Sequence, residues 1–138
     1  MIYPDASVLV AASVDEPRTD DVLALLSSAE TFATSGWTLV EVASALGIKQ
    51  RTGQIGADDR IRALAGVRAL IASGFTSIPV DASDFSAATR FIEQSRLPLR
   101  GGDALHLAIA SARGATIWTL DRRMADAGAA LGIAIRLV

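Results

Sequence analysis

Four carboxylates stand where a folding chain has reason to avoid them. Asp5 interrupts IYPDASVLVAA, an almost wholly apolar run. Glu41 lies in WTLVEVASALGI, where Trp37, Val40, Val42, Ala45 and Leu46 surround it at helical spacing. Asp103 opens GGDALHLAIASA, and Asp121 ends TIWTLD. Taking an ionised carboxylate out of water is strongly unfavourable unless a partner, a proton or an ion compensates it. Clustered carboxylates cannot all stay ionised by themselves. Hard, oxygen-preferring Mg²⁺ or Mn²⁺ neutralises them. A cation held in that way activates water and stabilises charge on a phosphoryl group. The competing explanation is that each acid caps a helix or forms an ion pair on its own.

The other acids need no such account. Asp15, Glu16, Asp20, Asp21, Asp58 and Asp59 adjoin Pro, Arg, Gly or one another and read as solvated helix starts. Asp81 and Asp84 follow a strand and open a helix, so capping explains them.

A frame must bring the four together. The pattern predicts strands over Ile2 to Asp5, Thr31 to Thr34, Thr76 to Val80, Thr116 to Leu120 and Ala134 to Leu137. It predicts helices over Arg18 to Ala29, Trp37 to Arg51, Ala57 to Ser73, Ser83 to Ser95, Gly102 to Arg113 and Arg122 to Leu131. The alternation argues for an α/β layer fold with a mostly parallel sheet. In such a sheet, strand C-termini and the helix starts after them share one edge, where ligands bind. Asp5 and Asp121 then project from that edge, Asp103 joins from a helix start, and Glu41 reaches in from the helix after the second strand. Thr119 falls on the same side of its strand as Asp121. Pro4 cannot donate to a ladder and marks where the first strand stops pairing.

Bulk properties narrow the function. The chain has 138 residues, 51% hydrophobic and 20% charged, which fits one compact domain over residues 1–138. A net charge of -2 gives no support to indiscriminate nucleic-acid binding. Cysteine is absent, which excludes disulfides and thiolate chemistry. No apolar run is long enough to span a membrane and no secretion signal is visible, so a cytoplasmic location is expected. His106 is the only histidine and lies one turn from Asp103; a packed or supporting role outweighs a ligand role. Arg100, Arg122 and Arg123, with Arg96, flank the acids and read as solvated helix ends or, if the acidic edge binds RNA, as candidate phosphate contacts. Trp37 and Phe91 read as core or subunit surface, and Asp126 as an exposed helix residue.

The order YPDAS, a helical Glu41, GGDALHLAIA and TLDRRM resembles the PIN-domain nucleases, and among them the VapC toxins of bacterial toxin–antitoxin pairs. The resemblance covers the whole chain; each motif alone is unspecific, and their order carries the likeness. It implies a three-layer α/β/α domain and a Mg²⁺- or Mn²⁺-dependent endoribonuclease that hydrolyses RNA with metal-activated water. It implies Asp5, Glu41, Asp103 and Asp121 as the acidic site, with metal at Asp5, Asp103 and Asp121, and Ser7 and Thr119 as supporting hydroxyls. It implies a homodimer and a VapB-like antitoxin. Two other classes are weighed against it. A receiver-type phosphoacceptor domain needs an acidic pair after the first strand and a lysine near the last, whereas Asp5 stands alone and Lys49, the only lysine, lies elsewhere. A non-catalytic PIN-like binding module needs no acids at all. On the nuclease reading, Asp5→Asn is expected to abolish cleavage, leave the fold intact and relieve charge repulsion.

Overall fold

The computed structural model describes residues 1–28 and 30–138. Strands β1 (Ile2–Pro4), β2 (Phe32–Ser35), β3 (Phe75–Ile78), β4 (Thr116–Thr119) and β5 (Ile135–Leu137) alternate with helices. These are α1 (Ala6–Ala11), α2 (Thr19–Leu26), α3 (Gly36–Arg51), α4 (Ala57–Gly74), α5 (Ala82–Gln94), α6 (Gly101–Ser111) and α7 (Arg122–Ala130). All strand pairs are parallel, in the order β3-β2-β1-β4-β5. The expected α/β class and parallel sheet are therefore present, with boundaries displaced by a residue or two. The end expected for the second helix, Ala29, lies outside the described residues.

Alternation along the strands builds the layers. Ile2, Phe32 and Trp118 face one core, which α1, α2, α3 and α4 cover with Leu9, Val22, Leu46 and Val67. Tyr3, Ala33 and Ile117 face the other, which α5, α6 and α7 cover with Ala88, Leu107 and Met124. Both faces of the three central strands, β1, β2 and β4, are buried, as expected inside a parallel sheet, while the edge strands β3 and β5 are partly exposed.

One element was not anticipated. Residues after Asp5 form α1, not a continued apolar strand. Val8, Leu9, Val10 and Ala11 are all buried. A helix buried on every side shows no 3.6-residue period, and its valines mimic a strand. Pro4 fits the ladder. The amides of Ile2 and Asp5 donate to Thr31 and Trp118 at 2.8 and 2.9 Å. Alternation therefore aims the Pro4 nitrogen at β2, where pairing has ended after Ile2.

The chain runs from β1 outward to β2 and β3, then crosses to β4 and β5 on the other side. The ends of β1 and β4 thus flank the point where the winding reverses, the expected ligand position in an open parallel sheet. Asp5 follows β1, and Asp121 follows β4.

Candidate active site

Asp5 is 4% exposed and caps α1, accepting from the Val8 amide at 3.2 Å through Oδ1. Ser7 Oγ donates to the same oxygen at 2.5 Å, and Thr119 Oγ1 donates to Oδ2 at 2.6 Å. Each hydroxyl also accepts a backbone amide: Leu120 N–H on Ser7 and Asp121 N–H on Thr119, both at 2.9 Å. With an acceptor lone pair so engaged, each hydroxyl has its single proton free for Asp5. Burial pushes the Asp5 carboxyl above its ordinary value, against the pull of these donors.

Asp121 caps α7, accepting from the Arg123 and Met124 amides at 2.7 and 3.2 Å. The sequence reading set Asp5 and Asp121 apart from capping acids. That division is corrected, because both cap helices. The reason is geometric: β1 ends at Pro4 and β4 at Thr119, and the next helices start so soon after them that Asp5 and Asp121 fall at the N-caps.

Asp103 lies in the first turn of α6, half-buried. Burial raises its carboxyl above 3.8, and the neighbouring Asp121 and Glu41 raise it further, with Arg100 opposing. Those three acids therefore share one electrostatic neighbourhood. Glu41 is not buried as its apolar surroundings suggested. Its side chain is 30% exposed and lies against α6, with Oε2 2.7 Å from His106 Nε2. The approach depends on Gly102. A Cβ there would collide with Glu41 Oε1 and meet the Trp37 ring at 3.4 Å. Trp37 itself donates to the Gly102 carbonyl at 3.3 Å.

Beside these acids runs a cleft of about 520 Å³, lined among others by Ser7, Glu41, Asp103, Arg100 and Lys49. Lys49, on α3 and away from the last strand, stands on this wall in an ion pair with Glu16. Arg122 and Arg123 are exposed at the start of α7, Arg96 is exposed before α6, and Asp126 is exposed. Trp37 and Phe91 pack against the second core.

Among the described residues, none of Asp5, Asp103 and Asp121 takes part in an ion pair. Nor are any three acids or histidines close enough to chelate a cation as they stand. The donor chemistry nonetheless fits Mg²⁺ or Mn²⁺: carboxylate oxygens alone, with little opposing cation. Mg²⁺ commonly keeps much of its water and takes only one or two carboxylates, so a closed cage is not required.

Two networks escaped sequence reasoning. Tyr3, Ser35 and Thr38 connect to Glu41 through His106. Asp84 is buried against Arg113 as well as capping α5. The only signal for the first is that Tyr3 and His106 are the single residues of their kinds. None marks the second.

The PIN domain family model matches residues 2–130. The chain belongs to the PIN-domain family. Solved structures share its fold. VapC20 of Mycobacterium tuberculosis, described as a sarcin–ricin loop cleaving toxin, superposes with a TM-score of 0.74 at 19% identity, over 100% of this chain and 98% of that one. VapBC2 of Rickettsia felis, bound to a DNA fragment from its promoter, gives 0.66 at 20%, over 99% and 98%. VapBC-5 of M. tuberculosis, a toxin–antitoxin family member, gives 0.59 at 24%, over 97% and 94%. No curated protein sequence matches this PIN domain. No helix among its described residues is long and apolar enough to cross a membrane.

Proposed function

We propose that this PIN domain, residues 1–138 acting as one unit, is a Mg²⁺- or Mn²⁺-dependent endoribonuclease and the toxin of a cytoplasmic toxin–antitoxin pair. The observation that carries the reading is Asp103 crowded by Asp121 and Glu41 at the reversal edge of a parallel sheet, with no ion-pair partner among the described residues. The toxin role rests on the likeness to VapC20 and to the VapBC complexes.

Asp5, Asp103 and Asp121 would hold the cation, with Glu41 completing the set directly or through water. A divalent cation bound there supplies an activated water and neutralises phosphoryl charge. Ser7 and Thr119 fix both oxygens of Asp5 in one orientation. Arg100, Arg122 and Arg123 place the phosphates of the strand along the cleft. Hydrolysis of this kind leaves a 5′-phosphate and a 3′-hydroxyl and needs no ribose 2′-hydroxyl nucleophile. The test is digestion of a structured RNA with Mg²⁺ and with EDTA, followed by mapping of the new ends. Mg²⁺-dependent cutting with 5′-phosphates supports the proposal; EDTA-resistant cutting or 2′,3′-cyclic phosphates overturn it.

The partner fitting this site is a small VapB-like antitoxin acting on a homodimeric toxin. An arginine from its C-terminal segment would satisfy Asp5 and Asp103 as a bidentate cation. Apolar grooves offer anchor points, one of about 270 Å³ beside Leu9, Leu23 and Leu70, the other of about 460 Å³ beside Trp37, Val40 and Phe85. Induction of the toxin alone should stop growth, and co-expression of the neighbouring gene should restore it. Unchanged RNA cleavage at saturating antitoxin would show that inhibition does not act here.

A further inference from the structure

The sole tyrosine and the sole histidine of the chain are bonded to each other in its interior. Tyr3 is fully buried and His106 is 1% exposed. The Tyr3 hydroxyl lies 3.0 Å from His106 Nδ1, 2.7 Å from Ser35 Oγ and 2.9 Å from Thr38 Oγ1. His106 Nε2 lies 2.7 Å from Glu41 Oε2. Directions along this chain follow from what each group can give. A carboxylate only accepts, so Nε2 carries a proton towards Glu41. In the neutral ring Nδ1 then accepts, and the phenol supplies the proton. Burial holds the phenol above 10.0, so that proton is kept. Ser35 and Thr38 donate in turn to the phenol oxygen. The whole run points one way, from the end of β2 through β1 and α6 to α3, with every hydroxyl satisfied.

The consequence falls on Glu41. Its Oε2 is committed to His106, and its Oε1 is left against Gly102 at the head of the helix that carries Asp103. We infer that Tyr3 and His106 are positioning residues, which lock the Glu41 carboxylate so that one oxygen alone is presented to the acidic site. The inference rests on the nuclease reading of that site. Neither residue touches the reacting atoms. A glutamate on a half-exposed helix face otherwise samples several rotamers, which spreads the position of its charge relative to Asp103.

The test uses the full chain and the fact that only one histidine gives imidazole signals. In metal-free protein, long-range proton–nitrogen spectra should show a proton on Nε2 that exchanges slowly with water. Tyr3→Phe keeps the ring but removes the hydroxyl; it should shift the Nδ1 resonance and speed that exchange. In RNA cleavage, His106→Leu should lower kcat about tenfold with KM changed less than about twofold, as for other residues that orient a site from behind. His106→Gln places an amide N–H near the position of Nε2 and should recover kcat to within about threefold of the natural chain. A bare or freely exchanging Nε2 overturns the inference, as does wild-type kcat in His106→Leu or an equal loss in the Gln variant. A protected Nε2 proton in a protein that cleaves no RNA would sink the nuclease reading and leave the lock standing. Cleavage without that proton would do the reverse.

Discussion

Asp5 and Asp84 are buried almost alike, 4% and 2% exposed, and each stands at a helix start after a parallel strand. Their partners differ. Asp84 Oδ1 accepts from Arg113 at 2.5 Å, and Oδ2 accepts from the Asp81 amide at 2.8 Å. Arg113 also binds the Pro79 carbonyl at 2.9 Å, so it ties α6 to the loop after β3. Burial pushes the Asp84 carboxyl up, but Arg113 and the amide outweigh it and hold it below 3.8. Among the described residues Asp5 receives two hydroxyls and one amide but no guanidinium, and there burial prevails. Asp103 shifts the same way, with Asp121 and Glu41 adding to burial. The acid that serves packing is thus neutralised within the chain. Asp5, at the sheet end, is oriented but not neutralised within the described residues, and the proposed cation from solution would supply the missing charge there.

The largest expected effect separates the two regions by activity. Asp103→Asn should reduce RNA cleavage by at least about 10²-fold, the usual scale for removing a group aimed at transition-state charge. Asp84→Asn should leave kcat/KM within about twofold, because it lies away from the cleft. Initial rates on one defined RNA decide this. Equal losses would dissolve the distinction.

Stability should rank the variants in another order. Asp84→Asn removes one of the two carboxylates paired with Arg113, whose guanidinium is 21% exposed and keeps Asp81, and should lower unfolding free energy by about 2 kcal/mol, less than for a fully buried pair. Asp5→Asn should lower it by about 1–3 kcal/mol. This revises the expectation of an undisturbed fold, since an Asn amide would point donors at Ser7 or Thr119, hydroxyls that are themselves donating. Asp103→Asn, free of such bonds, should raise the midpoint. Urea denaturation in EDTA measures all of them.

The two regions should also respond oppositely to pH. Asp103 has a folded-state pKa above its unfolded value, so its contribution is full below 3.8 and is lost as pH rises through the raised value. Asp84 is depressed, so its contribution is present above 3.8 and is lost as pH falls through the lowered value. Melting in EDTA across the acid range should therefore show Asp103→Asn gaining on the natural chain as pH rises. Asp84→Asn should fall furthest behind at neutral pH and converge with it in acid. Parallel curves for both variants would contradict the assignment. The smallest change expected is Thr119→Val, which removes one bond to Asp5 and one acceptor for the Asp121 amide; it should cost about 1 kcal/mol in the same melts.

Much of this contrast is legible in the sequence, and the reason is local. A carboxylate in an apolar run, as at Asp5 or Asp121, is conspicuous at any level of description. Parallel α/β order then brings strand ends to one edge without knowledge of any contact. What escapes is what depends on pairs far apart in the chain. Nothing near Asp84 announces Arg113, and nothing near Tyr3 announces His106, because each partner arrives through the sheet. Capping by Asp5 was missed for a different reason: α1 is short and buried all round, so it carries no amphipathic stripe. Glu41 was misjudged as buried because Val40 and Ile48 on the same helix are exposed in the structure, at 56% and 49%. Apolar letters alone do not reveal that.

The central claim is that a cation from solution completes the sheet-end acids. It is tested most directly by titrating Mn²⁺ into the natural chain, Asp103→Asn and Asp84→Asn, with calorimetry as the readout and no RNA present. The account predicts one affinity shared by the natural chain and Asp84→Asn, and a loss of about tenfold or more in Asp103→Asn. The same affinity in all three proteins, or no binding by the natural chain, would contradict it.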